Sequence, residues 1–130
     1  MIKPQENVSL KEFTTFNIGG PAQYFCPVKS IDELKEALLW ANQQQLPFFI
    51  LGGGSNLLIS DEGFAGLVIK NEISHINVNG ESLEVGSGTT LTNLINFTAQ
   101  QGLSGLQKLI GIYGTIGGAV FGNAGAYGQA

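Results

Sequence analysis

The sequence predicts an α+β protein in two small lobes. Three observations carry that expectation: a strand–helix–strand pattern between Ala22 and Leu51, a hairpin signal at Asn79-Gly80, and glycine gathered in two runs. A chain of 130 residues is long enough for one domain or two such lobes, and it buries roughly two-thirds of its extended surface. The first lobe is expected over residues 1–70 and the second over 71–130.

Ala22 to Val28 reads as a strand after a polar opening. Ser30-Ile31-Asp32-Glu33 is a capping box that starts a helix, with Ile31, Leu34, Leu38 and Ala41 on one face. Proline disfavours helical geometry in its predecessor, so this helix must end before Pro47. Phe48-Phe49-Ile50-Leu51 is short and apolar enough for a buried strand. The run Gly52-Gly53-Gly54-Ser55-Asn56 follows, then Leu57-Leu58-Ile59, a turn at Asp61-Glu62-Gly63, and a strand through Leu67-Val68-Ile69. Asn79-Gly80, between Ile76-Asn77-Val78 and Leu83-Glu84-Val85, predicts a type I′ hairpin turn. Thr90 caps a helix carrying Leu91, Leu94, Ile95 and Thr98 on one face, and Gly102 stands where a left-handed terminator is wanted. Loop and short helix are expected from there onward.

Charge and cysteine exclude several function classes. Charged residues make up 12% of the chain, with six lysines, no arginine and ten carboxylates for a net charge of −4. Nucleic acid is therefore not an expected partner, because a phosphate backbone demands a basic surface. Cys26 is the only cysteine and His75 the only histidine, so no intrachain disulfide forms and no zinc site is expected. Met1-Ile2-Lys3-Pro4 opens no secretory signal, which makes the cytoplasm the expected address. His75 alternates with Ile73 and Ile76 and reads as a strand position without chemistry, Cys26 reads as a small strand residue, and Trp40 reads as helix packing.

Glycine is the informative excess, at nineteen residues, nine of them between Gly102 and Gly128. Several backbone N–H groups can curl around one phosphate only where no Cβ intervenes. Gly52, Gly53 and Gly54 give that freedom, and Ser55 and Asn56 add side-chain donors just past the carboxyl end of a strand, where α/β sheets bind ligands. The same residues also suit a tight turn between two strands. No Gly-Lys-Ser/Thr follows, so the run is not a Walker loop, and a Leu-Leu-Ile run stands where a dinucleotide fingerprint would place a helix. The second run spans Gly111 to Gly128 inside an uncharged stretch, 109–130. A membrane helix is not expected there, because the stretch is too rich in glycine and holds Tyr, Thr and Asn. Close approach of backbone to a flat ligand fits it better.

Four segments in order carry a family resemblance. Thr14-Thr15-Phe16-Asn17-Ile18-Gly19-Gly20-Pro21-Ala22, Leu51 through Leu58, Gly102-Leu103-Ser104-Gly105-Leu106 and Gly111 through Gly128 resemble successive signatures of the UDP-N-acetylenolpyruvoylglucosamine reductases, also called UDP-N-acetylmuramate dehydrogenases. The resemblance covers essentially all of this chain but only the amino-terminal FAD-binding part of the family's protein. It implies a two-lobed, truncated FAD-binding domain of the vanillyl-alcohol-oxidase (p-cresol methylhydroxylase) type. The cofactor it implies is FAD, with NADPH as hydride donor and a UDP-sugar as substrate in peptidoglycan precursor synthesis.

By the same resemblance, Gly52, Gly53, Gly54, Ser55 and Asn56 would hold the pyrophosphate. Gly111, Ile112, Tyr113, Gly114, Gly117, Gly118, Asn123, Gly125, Ala126 and Tyr127 would approach the diphosphate and the isoalloxazine ring. The family pattern carries proline where this chain has Tyr113. No catalytic residue falls within the chain, and the carboxy-terminal remainder of the same enzyme is the implied partner. Two other readings remain open: a stand-alone, non-catalytic flavin- or nucleotide-binding module, and a fragment of another flavin oxidase.

Overall fold

The structure is a computed structural model that describes residues 2–13, 19–52, 61–103 and 115–122, without the side chains of 119, 121 and 122. The chain divides into two compact units, Met1–Glu72 and Ile73–Ala130. Mixed sheet and helix in the first unit, with hairpin and helices in the second, make the protein α+β.

Four strands form the sheet of the first unit: β1 (Gln5–Ser9), β2 (Pro21–Val28), β3 (Phe48–Leu51) and β4 (Phe64–Asn71). Their spatial order is β1-β2-β4-β3, with β1 antiparallel to β2 and β4 parallel to both β2 and β3. Helix α1 (Ile31–Gln43) links β2 to β3 and packs on one face of the sheet. Side chains alternate across a pleated strand, so Leu67 and Ile69 of β4 join Cys26, Val28, Ala37 and Ala41 on the helix side. Val68 points the other way, into a second core with Leu10, Ala22, Phe25 and Leu51. Near the start of β4 the pairing with β2 slips by one residue, and Gly66 lies there against the carbonyl of Pro47, which accepts the Leu67 N–H at 2.9 Å. A Cβ on Gly66 would collide with that carbonyl.

Both ends of α1 follow from local chemistry. Ser30 Oγ accepts the Glu33 N–H at 3.1 Å, and the Glu33 carboxylate accepts the Lys29 N–H at 2.7 Å. The reciprocal bond of the expected capping box is therefore made one residue earlier than the cap itself. The helix ends ahead of Pro47 because Gln45 turns left-handed at φ 57°, the Leu46 N–H returning to the Ala41 carbonyl and the Gln45 N–H to that of Asn42. This double closure is a Schellman motif.

The second unit contains the hairpin β5 (Ile76–Asn79) and β6 (Ser82–Val85), then α2 (Leu91–Gln100) and the short α3 (Ile116–Gly122). Thr90 caps α2 by accepting the Asn93 N–H at 3.2 Å, and Gly102 closes it at φ 72°. Leu91, Leu94, Ile95 and Thr98 are buried along one face, as the periodicity requires.

Several expectations are corrected. The hairpin register pairs Asn79 with Ser82, which leaves Gly80 and Glu81 as the central residues. Only Gly80 has positive φ, the demand of a type II′ turn and not of a type I′ turn. β3 is not a buried strand: it lies at the sheet edge, where Phe48 and Ile50 remain 52% and 46% exposed. Ile31 is exposed at the first position of its helix, ahead of the turns that meet the sheet. His75 precedes β5 instead of lying within a strand. The polar opening hides β1, whose pairing with β2 is a backbone matter that Gln5, Glu6 and Asn7 do not advertise. Among the described residues no helix is long and apolar enough to cross a membrane.

Candidate functional site

Gly52 directly follows β3, at the carboxyl end of two parallel strands, a place where sheets of this kind gather ligands. The parallel register sets Leu51 beside Lys70 of β4. From that position the Lys70 ammonium reaches across and donates to the Gly52 carbonyl at 2.6 Å. Burial pushes the ammonium below the usual lysine value, and the charge of Glu72 opposes the shift. The first glycine of the run is thus joined to a half-buried cation.

Of the other residues expected to cradle a phosphate, Gly53, Gly54, Ser55 and Asn56 lie outside the described residues. So do Gly111, Ile112, Tyr113, Gly114, Asn123, Gly125, Ala126 and Tyr127. Gly117 and Gly118 are described, in the first turn of α3. Their N–H groups are engaged within the second unit: Gly117 donates to the Ser87 carbonyl at 2.8 Å and Gly118 to Thr115 Oγ1 at 3.2 Å. The Ile116 N–H goes to the Thr89 carbonyl at 2.8 Å, and Thr90 and Thr115 form a bridge. A Cβ on Gly117 would press on Ser87 at 3.1 Å, so glycine here lets the helix start close to the 87–90 loop.

The remaining candidates for chemistry are occupied structurally. Cys26 borders an open cleft of about 440 Å³ with Ile2, Lys3, Gln5, Pro27, Glu33 and Glu36, but the residue is buried in the helix-side core, only 3% exposed. Burial, followed by the negative charges of Glu33 and Glu36, pushes its pKa up, which keeps the thiol protonated and a poor nucleophile at neutral pH. His75 Nε2 lies 3.2 Å from the exposed Glu84 carboxylate. Tyr24 and Trp40 meet edge to face at 5.0 Å between ring centroids, in the packing role expected of Trp40. Among the described residues no group of three or more His, Cys, Asp or Glu side chains is placed to hold a metal ion.

Lys70 is the residue that sequence reasoning missed. The lysine closing the apolar run 67–69 was visible, but its proximity to Gly52 depends on the parallel pairing of β3 with β4, which no local pattern encodes.

A strand-end glycine run with a cation at its first carbonyl suits an anionic nucleotide cofactor, and comparison with known proteins agrees. The family model described as FAD binding domain matches residues 21–130, and the chain belongs to that family. Among its relatives, the UDP-N-acetylenolpyruvoylglucosamine reductase of Protochlamydia amoebophila is 48% identical over 126 residues, covering 96% of this chain and 42% of that protein. The enzyme of the same name from Prochlorococcus marinus (strain NATL2A) is 45% identical over 128 residues, covering 96% and 44%. The crystal structure of UDP-N-acetylenolpyruvylglucosamine reductase from Thermus caldophilus superposes with a TM-score of 0.78 at 37% identity, over 98% of this chain and 44% of that one. The chain therefore spans a little over two-fifths of the length of these relatives.

Proposed function

We propose that this chain is the FAD-binding portion of an NADPH-dependent flavoenzyme that reduces UDP-N-acetylglucosamine enolpyruvate to UDP-N-acetylmuramate, a cytoplasmic step of peptidoglycan precursor synthesis. The observation that carries the reading is 48% identity to a reductase of that name over 96% of the chain. The finer fold assignment, a domain of the vanillyl-alcohol-oxidase type with lobes at 1–70 and 71–130, belongs to the same proposal.

FAD, when bound, supplies the hydride relay between nicotinamide and substrate. This chain's own residues bind and orient. The run Gly52 to Asn56 offers backbone and side-chain donors to the diphosphate, and the ammonium beside Gly52 fits that anion. Because the N–H groups of Gly117 and Gly118 are already donated, those glycines serve the flavin through the close packing they permit. Gly111 to Gly114 and Asn123 to Tyr127 complete the proposed contact set. NADPH, the UDP-sugar and the carboxy-terminal part of the relatives' length are the proposed partners.

A domain replacement tests the reading. Residues 1–130 are substituted for the matching segment of the Thermus caldophilus reductase, and NADPH oxidation is followed with the enolpyruvyl UDP-sugar. The expected chimera retains FAD and turns over; a folded chimera that holds no flavin would refute the proposal.

A further inference from the structure

We propose that Lys70 is the cation that balances the diphosphate of FAD in a chain that has no arginine, and that it fixes the start of the glycine run by holding the Gly52 carbonyl. The inference rests on the FAD-binding reading above and adds to it a residue and a charge.

Four observations converge on Lys70. Its ammonium lies 2.6 Å from the Gly52 carbonyl, and an ammonium carries three donors, so one bond to the protein does not exhaust it. The other described lysines, Lys3, Lys11, Lys29 and Lys35, are exposed, whereas Lys70 is half-buried. It also stands on the strand that pairs in parallel with β3, so backbone register, not a flexible loop, sets its position. Finally, the fold bears a cost to keep it charged. Burial lowers its pKa, so the folded state binds fewer protons than the unfolded chain just below the ordinary lysine value. Stability therefore rises with pH through that window, and below it the protein carries the full burden of a desolvated charge. A lysine that served only to cap a strand-end carbonyl could be replaced by a neutral donor without that burden. A doubly charged ligand reverses the balance, because a nearby anion favours the charged form.

The test compares FAD with riboflavin, which has the same ring system but no phosphate, on the wild-type chain and on Lys70→Met and Lys70→Arg. Kd is measured from flavin fluorescence at two salt concentrations. Lys70→Met is expected to weaken FAD about tenfold, to leave riboflavin unchanged and to flatten the salt dependence. Lys70→Arg should stay within about threefold of wild type, since the charge is kept while the geometry changes. Equal FAD binding by wild type and Lys70→Met, or an equal loss of FAD and riboflavin, overturns the proposal. If Lys70→Met fails to fold by circular dichroism, the wild-type chain labelled at lysine carbon ε decides. A Lys70 resonance that moves with FAD and not with riboflavin supports the role, and one that responds alike to both overturns it. A wild-type chain that binds no FAD even at millimolar concentration refutes the FAD-binding reading itself. Binding without dependence on Lys70 refutes only this inference.

Discussion

Gln45 and Gly102 occupy the same position in two copies of one helix-ending motif. Each follows a C-cap glutamine, Gln44 or Gln101, and each turns left-handed, at φ 57° and 72°. The next residue then closes the motif: Leu46 on Ala41 and Leu103 on Thr98, both at 2.9 Å. A side chain in this backbone region costs about 1–2 kcal/mol, which glycine avoids. Against that stands about 0.4–1 kcal/mol of extra unfolded-state entropy for a glycine. The first effect wins. Gln45→Gly is expected to raise unfolding stability by up to about 1 kcal/mol, and Gly102→Ala to lower it by a similar amount. Among the described residues nothing lies within 4 Å of a Cβ at Gly102, so its loss reads the backbone effect. Urea unfolding of both variants checks the pair of opposite signs.

The amino-terminal caps give a second prediction. Ser30 Oγ and Thr90 Oγ1 each satisfy one N–H that has no partner within its helix. Alanine at either position should cost about 1 kcal/mol, and the two losses should add, since the caps belong to different units. Urea midpoints of both single variants and the double variant measure this.

Cys26 sets a pH dependence. Its folded pKa is raised, so above about pH 9 the unfolded thiol ionises while the buried one does not, and stability falls as pH climbs through that window. Lys70, whose folded pKa is lowered, pulls stability the other way just below the ordinary lysine value. Cys26→Ala should remove the falling contribution and leave the rising one, which thermal melts between pH 8 and about 10.5 would resolve. Iodoacetamide should label wild-type Cys26 at neutral pH only as fast as the chain opens.

Chemistry without the rest of the relatives' length is not expected from residues 1–130. The titratable side chains in the glycine-rich stretch 109–130 are Tyr113 and Tyr127, whose usual pKa near 10 suits neither protonation of an enol at neutral pH nor stabilisation of developing negative charge. Stopped-flow absorbance with FAD, NADPH and the enolpyruvyl UDP-sugar should show no substrate-dependent reoxidation of reduced flavin. Turnover above a trace would mean that the reaction needs fewer groups than this.

Local chemistry made much of the fold legible. Ser30 and Thr90 as caps, Gly102 as terminator and Leu67 to Ile69 as strand core each follow from a few neighbouring residues. The rest depends on what those residues meet across the chain. Phe48 and Ile50 are apolar enough for a core, but β3 lies at the edge, and strand order is not a local property. Asn79-Gly80 signals a hairpin, yet the pairing of Ile76 with Val85 shifts the turn by one residue. For the candidate site, the glycine run stands out in the sequence by composition and by its place after an apolar strand, although the same residues also suit a tight turn. The Lys70–Gly52 bond was not legible, because it spans eighteen positions and a parallel register.

The most direct test of FAD binding through the glycine run that begins at Gly52 is a fluorescence titration of residues 1–130 with FAD, repeated on Gly53→Val and Ser55→Ala. A β-branched side chain tolerates positive φ poorly and would crowd an anion held by backbone donors. One FAD should bind per chain, more weakly than to the whole Thermus caldophilus enzyme, with a further loss of about tenfold in Gly53→Val and a smaller loss in Ser55→Ala. A Gly53→Val chain that is folded by circular dichroism and binds FAD as wild type does would contradict the account and reduce the triple glycine to a turn.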